Sequence, residues 1–179
     1  MNTQSSSLTD IQLVIFDVDG VLTDGTLYYG ESGEHLKTFN VKDGVGFNLL
    51  KDNHVHMAII TAKQSQSLKK RMDDLGIDHF YPGCHDKLAA FSELKQILSL
   101  TNDQIAYVGD DVIDLPVMNK VGIAIAPDDA YPLVKQQADI VTHSRGGQGV
   151  VREVADLLVG ARTDLSSAYS RLTGIRIVQ

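Results

Sequence analysis

The chain has 179 residues, 43% of them apolar, and 16 Lys and Arg against 23 Asp and Glu give a net charge of −7. That length suits one domain with a real core, and the acidic balance argues against a nucleic-acid partner, whose phosphates need a basic patch. The lone Cys84 excludes a disulfide framework or a thiolate cluster; no apolar run approaches the ~20 residues of a membrane span, and polar residues 1–10 lack the apolar centre of a secretory signal, so a cytoplasmic protein with no membrane partner is expected.

The first element is Leu13-Val14-Ile15-Phe16, an unbroken apolar run that reads as a strand buried on both faces. It delivers Asp17 and Asp19 into a turn marked by Gly20. Two positions apart on a period-2 strand, the carboxylates start on one side. They repel unless a cation sits between them or one holds a proton, so the stretch reads as a metal site or an acid/base pair. The ordinary alternative is a strand followed by an acidic turn.

Residues 26–41 hold two β-prone runs around Glu31-Ser32-Gly33 and read as a hairpin. An isolated hairpin is marginal in water, so this one is expected to pack on something. A helix is expected over 45–53, a buried strand over 56–60 with Thr61 at its carboxyl end, and a helix from a Ser65 cap to Leu75, closed by Gly76. Phe80-Tyr81 reads as a short strand. Lys87 begins a helix with the stripe Leu88, Phe91, Leu94 and Leu98, and 105–108 is a strand ending in Gly109-Asp110-Asp111. Pro116 suits a first helical turn. Strands at 123–125 and 140–141 flank a short helix at 131–137; after Gly146-Gly147-Gln148-Gly149 comes a helix over 150–159, then a tail from about 160 to 179.

This alternation predicts an α/β fold with a Rossmann-like, mostly parallel sheet. Ligands of such sheets bind outside the carboxyl ends of the strands, which gathers Asp17, Asp19, Thr61, Asp110 and Asp111 into one crevice. With Asp114 this would place five acids in or near one pocket, and oxygen donors without His or Cys suit a hard cation, with Mg²⁺ the usual choice. For Asp111 and Asp114 the alternative is acids that favour a helix N-terminus. Lys87 stands at a helix start, the wrong end for a cation, so a nearby anion would justify it; otherwise it is an exposed lysine. Thr61 is otherwise an ordinary strand terminus. A carboxylate nucleophile, an acid/base, Mg²⁺, a hydroxyl and a lysine are the parts that move a phosphoryl group.

Asp17-Val18-Asp19-Gly20-Val21-Leu22-Thr23-Asp24 resembles the first motif of the haloacid dehalogenase superfamily of phosphatases, and Thr61, Lys87 and Gly109-Asp110-Asp111-Val112-Ile113-Asp114 resemble its second, third and fourth. Phe39-Asn40-Val41-Lys42-Asp43-Gly44 and Gly146-Gly147-Gln148-Gly149-Val150-Val151-Arg152-Glu153 are similar to the branch that hydrolyses 3-deoxy-D-manno-octulosonate (Kdo) 8-phosphate for lipopolysaccharide. The resemblance implies Asp17 as nucleophile and Mg²⁺ ligand. It implies Asp19 as acid/base, binding Mg²⁺ through its carbonyl. Thr61 and Lys87 would hold phosphate, and Asp110 would complete the metal site with Asp111 in support. The family usually has Gly-Arg where Ala62-Lys63 stand, and often Arg at Lys42. Lys42 and Lys63 keep the positive charge for substrate binding but lose the bidentate fork.

Thirty-six positions separate Gly25 from Thr61 and twenty-six separate Thr61 from Lys87. A cap domain needs at least ~50 residues, so one domain over 1–179 without a cap is expected. The resemblance implies a homotetramer in which hairpins associate and neighbours close each site. The tail reads either as a loosely ordered terminus or as a cationic lid carrying Arg162, Arg171 and Arg176. Two rival functions are a phosphatase of a nine-carbon sialic-type acid phosphate and a phospho-accepting receiver domain. A receiver puts its acid pair and its phosphoacceptor on different strands, whereas Asp17-x-Asp19 sets an acid/base beside the nucleophile, as turnover requires.

Overall fold

The computed structural model describes residues 7–177. The leader reading rests partly on residues 1–6 and the tail reading includes 178–179, and both stretches lie outside the described residues. The apolar run becomes β1 (Leu13–Phe16), whose four residues are all buried. Its side chains alternate between two cores, as a period-2 strand requires: Val14 and Phe16 enter one, Leu13 and Ile15 the other. The hairpin follows as β2 (Tyr28–Gly30) paired antiparallel with β3 (Gly33–Leu36). It forms its own two-stranded sheet.

Next come α1 (Val41–Asp52), β4 (His56–Ile60), α2 (Gln66–Leu75), β5 (His79–Tyr81), α3 (Lys87–Ile97) and β6 (Ile105–Val108). They are followed by α4 (Leu115–Met118), β7 (Ile123–Ala126), α5 (Pro132–Gln137), β8 (Ile140–Val141), α6 (Val150–Gly160) and α7 (Leu165–Thr173). The large sheet is parallel in the order β5-β4-β1-β6-β7-β8. The chain steps outward from β1 in one direction, then returns to β6 and steps out in the other. The switch point therefore lies between β1 and β6, where such sheets bind their ligands. Helices α1, α2, α6 and α7 cover one face and α3, α4 and α5 the other.

Helix α1 starts four residues before the expected position. The Asn40 side chain caps it by accepting the Lys42 N–H at 2.9 Å, so Asp43 and Gly44 lie within the helix rather than ahead of it. Gly46 lies against α6, and a Cβ there would meet the Arg152 backbone at 2.8–2.9 Å.

The tail forms a docked helix rather than a loose terminus. Asp164 caps α7, Gly174 ends it in the left-handed region (φ 71°), and Ala168 is fully buried. The Tyr169 hydroxyl bonds Asp156, and the Arg152 guanidinium stacks 4.5 Å from the Tyr169 ring. Arg162 donates to the Ile11 carbonyl and Arg171 donates to Asn53 at 3.2 Å. Ile11 precedes β1 and Asn53 ends α1, so these two arginines sit at the amino end of the sheet, away from the crevice.

Candidate active site

Asp17 leaves β1 with its N–H bonded to the Val108 carbonyl of β6 at 3.0 Å, which sets it on the switch point. The chain then turns sharply: the Val18 carbonyl accepts the Val21, Leu22 and Thr23 N–H groups at 2.9–3.2 Å. Gly20 is required in this turn. Its φ is 87°, and a Cβ there would strike the Asp110 carboxylate. The Gly146–Gly149 loop clasps the turn, with the Gly147 N–H on the Val21 carbonyl at 3.0 Å and the Asn40 amide on the Gly147 carbonyl at 3.1 Å.

Lys87 opens α3 behind the Asp86 cap. Its stem is buried, and its Nζ lies 2.9 Å from Asp17 Oδ1 and 2.7 Å from Asp114 Oδ1. The anion expected beside this lysine is thus a pair of carboxylates. Burial disfavours the ammonium, but Asp17 and Asp114 outweigh it and raise its pKa. Asp114 has no exposed surface. Its Oδ1 also accepts the Tyr107 hydroxyl at 2.6 Å, and its Oδ2 accepts the Asp110 and Asp111 N–H groups at 3.1 and 3.3 Å. Asp114 makes no side-chain cap of α4, so it organises the loop after β6 instead of serving as a helix-end acid.

Carboxylate oxygens of Asp17, Asp110 and Asp114 all lie within 4.8 Å of one another. Burial, then repulsion from Asp114, push the Asp17 carboxyl up to about 7. Burial, then repulsion from Asp17, push Asp110 up to about 8. Asp110 Oδ1 is buried without a hydrogen-bond partner among the described residues. A divalent cation held by these oxygens would satisfy that atom and offset the repulsion, and an all-oxygen donor set fits a hard cation.

The other expected residues are placed as follows. Thr61 directly follows β4, nearly fully buried, its hydroxyl accepting the Lys63 N–H at 3.2 Å. Lys63 is half-buried and Lys42 exposed in the first turn of α1; among the described residues neither pairs with an acid of the cluster. Asp111 is exposed and folds back on the Val112 N–H at 2.7 Å. Asp19 sits beside the cluster, but its carboxylate is turned to Lys37 of the hairpin strap, which also contacts Glu34 at 2.6 Å. Lys37 and Tyr107 were not singled out from the sequence. A hydroxyl within the apolar run 105–108 is the signal that marks Tyr107, whereas nothing local marks Lys37.

The profile of the haloacid dehalogenase-like hydrolase family matches residues 11–154. The 3-deoxy-D-manno-octulosonate 8-phosphate phosphatase KdsC of Salmonella typhi is 49% identical over 159 residues, covering 89% of this chain and 85% of the relative. The crystal structure of the 3-deoxy-D-manno-octulosonate 8-phosphate phosphatase from Yersinia pestis superposes with a TM-score of 0.84 at 47% identity, covering 87% of this chain and 84% of that one. The Moraxella catarrhalis enzyme, solved with magnesium, phosphate and KDO, superposes with a TM-score of 0.87 at 34% identity over 92% of this chain and 94% of that one. An aspartate-rich crevice at the switch point, a profile spanning most of the chain and relatives near half identity agree, and the chain belongs to the haloacid dehalogenase-like hydrolases.

Proposed function

We propose that this protein is a Mg²⁺-dependent phosphatase that hydrolyses 3-deoxy-D-manno-octulosonate 8-phosphate to Kdo and phosphate, a step in lipopolysaccharide precursor synthesis. The observation that carries this reading is the buried Asp17–Lys87–Asp114 triad beside Asp110, with Asp19 two residues from the nucleophile. Relatives near half identity bear that activity in their names.

Asp17 is the nucleophile. One carboxylate oxygen attacks phosphorus, the ester bond breaks, and an aspartyl phosphate forms. Asp19 delivers a proton to the departing sugar oxygen, then accepts one from the water that attacks the aspartyl phosphate, which frees Asp17. Lys87 orients Asp17 and offsets charge on the equatorial oxygens. The Thr61 hydroxyl donates to one of those oxygens. Asp17, the Asp19 carbonyl and Asp110 would hold Mg²⁺, with Asp111 in support; the ion supplies charge neutralisation on the phosphoryl group. Lys42 at the start of α1 and Lys63 just after β4 would supply cations for the sugar-acid carboxylate.

One catalytic domain over residues 1–179, working as a cytoplasmic homotetramer, fits the same reading. Leu27, Tyr28, Tyr29 and Leu36 of the hairpin region are exposed, and apolar side chains on a short hairpin call for a partner surface. Among the described residues no helix is long and apolar enough to cross a membrane.

Steady-state phosphate release from Kdo 8-phosphate and from a nine-carbon sialic-type acid phosphate tests the assignment. Mg²⁺ supports turnover, excess chelator abolishes it, and Ca²⁺ substitutes poorly because it prefers more ligands in looser geometry. Full activity in chelator refutes the metal site, and a higher kcat/KM for the nine-carbon substrate reassigns the sugar.

A further inference from the structure

Lys37 follows β3 in a segment whose neighbours are largely exposed, yet its own side chain is only 3% exposed. A buried ammonium is costly unless paired. Both of its partners are acids: Glu34 of the same hairpin, at 2.6 Å, and Asp19 on the catalytic turn. Among the described residues Lys37 is the side-chain partner of the Asp19 carboxylate, and it engages Oδ1. Among the described residues no backbone N–H of the Asp-x-Asp-Gly turn is hydrogen-bonded to that carboxylate. The turn therefore does not by itself hold the Asp19 side chain in one rotamer.

We propose that Lys37, anchored by Glu34, is a positioning residue for Asp19. This inference rests on the phosphatase reading above. Lys37 occupies Oδ1 and leaves Oδ2 to carry the proton, deliver it to the departing sugar oxygen and take one back from the attacking water. Misplacement of a reacting group by about 1 Å can cost on the order of 10²-fold, so one exposed strap reaches into the chemistry through a single ammonium. Lys37 acts through Asp19 and does not itself touch the reacting atoms.

The test compares wild type, Lys37→Met, Lys37→Arg, Asp19→Asn and the Lys37→Met/Asp19→Asn double variant, all with Mg²⁺. Two esters are used: Kdo 8-phosphate, whose alkoxide leaves poorly without a proton, and p-nitrophenyl phosphate, whose phenolate leaves unaided. Lys37→Met is expected to lower kcat on Kdo 8-phosphate by ~10–100-fold, less than the ~10²–10⁴-fold of losing the acid/base outright. The pre-steady-state burst of nitrophenolate should change less than ~3-fold. Lys37→Arg should recover most of the loss. In the Asp19→Asn background Lys37→Met should cost nothing further, the non-additivity expected of residues acting as one unit. A nitrophenolate burst slowed as much as turnover of Kdo 8-phosphate, or a full further loss in the Asp19→Asn background, overturns the proposal and points to hairpin stability or substrate contact. Should Lys37→Met fail to fold, Glu34→Gln must show the same ester-selective loss, and its absence overturns the proposal. A wild-type protein that releases phosphate from neither ester overturns the phosphatase reading and this inference with it.

Discussion

Lys87 Nζ lies 2.7 Å from Oδ1 of Asp114, a carboxylate with no exposed surface. That pair joins α3 to the loop after β6, and Tyr107 and two backbone N–H groups complete it. Every group hydrogen-bonded to Asp114 donates to it, so Asp114→Asn would turn its amide N–H₂ against either the Lys87 ammonium or the two backbone N–H groups. Breaking a buried pair in this way costs about 3–5 kcal/mol. Urea unfolding of Asp114→Asn should show that loss, accompanied by a large drop in kcat; an unchanged unfolding midpoint would remove Asp114 from the framework of the site.

Asp17→Asn should abolish turnover while the fold persists. The carboxylate is the nucleophile, and the amide has no oxygen able to form the acyl phosphate. Circular dichroism checks the fold and phosphate release checks the chemistry. Substantial phosphate from a folded variant would disprove the covalent route.

Gly46→Ala should destabilise the protein by ~1–3 kcal/mol, the usual cost of overpacking. The added methyl meets the Arg152 backbone, which cannot swing aside as a flexible side chain could. The better helix propensity of Ala offsets only about 1 kcal/mol. Thermal melts of both proteins decide it, and a raised Tm would show that α6 yields.

Asp43 is buried in α1, accepting the Arg152 N–H at 3.3 Å, while its Oδ2 lacks a hydrogen-bond partner among the described residues. Burial pushes its carboxyl up to about 6 from 3.8, against the pull of the Arg152 and Val151 N–H groups and Arg71. A raised acid contributes stability that is present below about 4 and lost as pH rises through about 6. Asn at this position has no such dependence. The Tm of Asp43→Asn relative to wild type should therefore climb between pH 4 and pH 7.5, and a flat or falling difference would contradict the shift.

Deleting residues 162–179 should lower Tm by several degrees, because Ala168, Tyr169 and Arg162 hold α7 against the body of the protein. Both esters should then lose kcat/KM alike. A loss confined to Kdo 8-phosphate would favour the lid reading despite the placement of Arg162 and Arg171.

The amino-acid sequence alone encodes the parallel α/β sheet and most of the element ends. Apolar runs of strand length, helical stripes, and local signals such as the Ser65 cap and the Gly76 stop are encoded within a few residues and need no distant partner. It also singled out Asp17, Asp19, Thr61, Lys87 and Asp110, because acids and a lysine at strand ends and a helix start are costly without a ligand or a counter-charge. Which charges meet depends on the folded chain. Asp114 reads equally as a pocket acid or a helix-end acid until β6 and α3 bring Tyr107 and Lys87 onto it. Lys37 is an ordinary hairpin lysine until the strap folds over Asp19. The tail's arginines look available until α7 docks at the amino end of the sheet. Ion pairing acts over a few ångströms in space and is blind to sequence distance, so eighteen residues from Asp19 to Lys37 and twenty-seven from Lys87 to Asp114 left no local pattern to read.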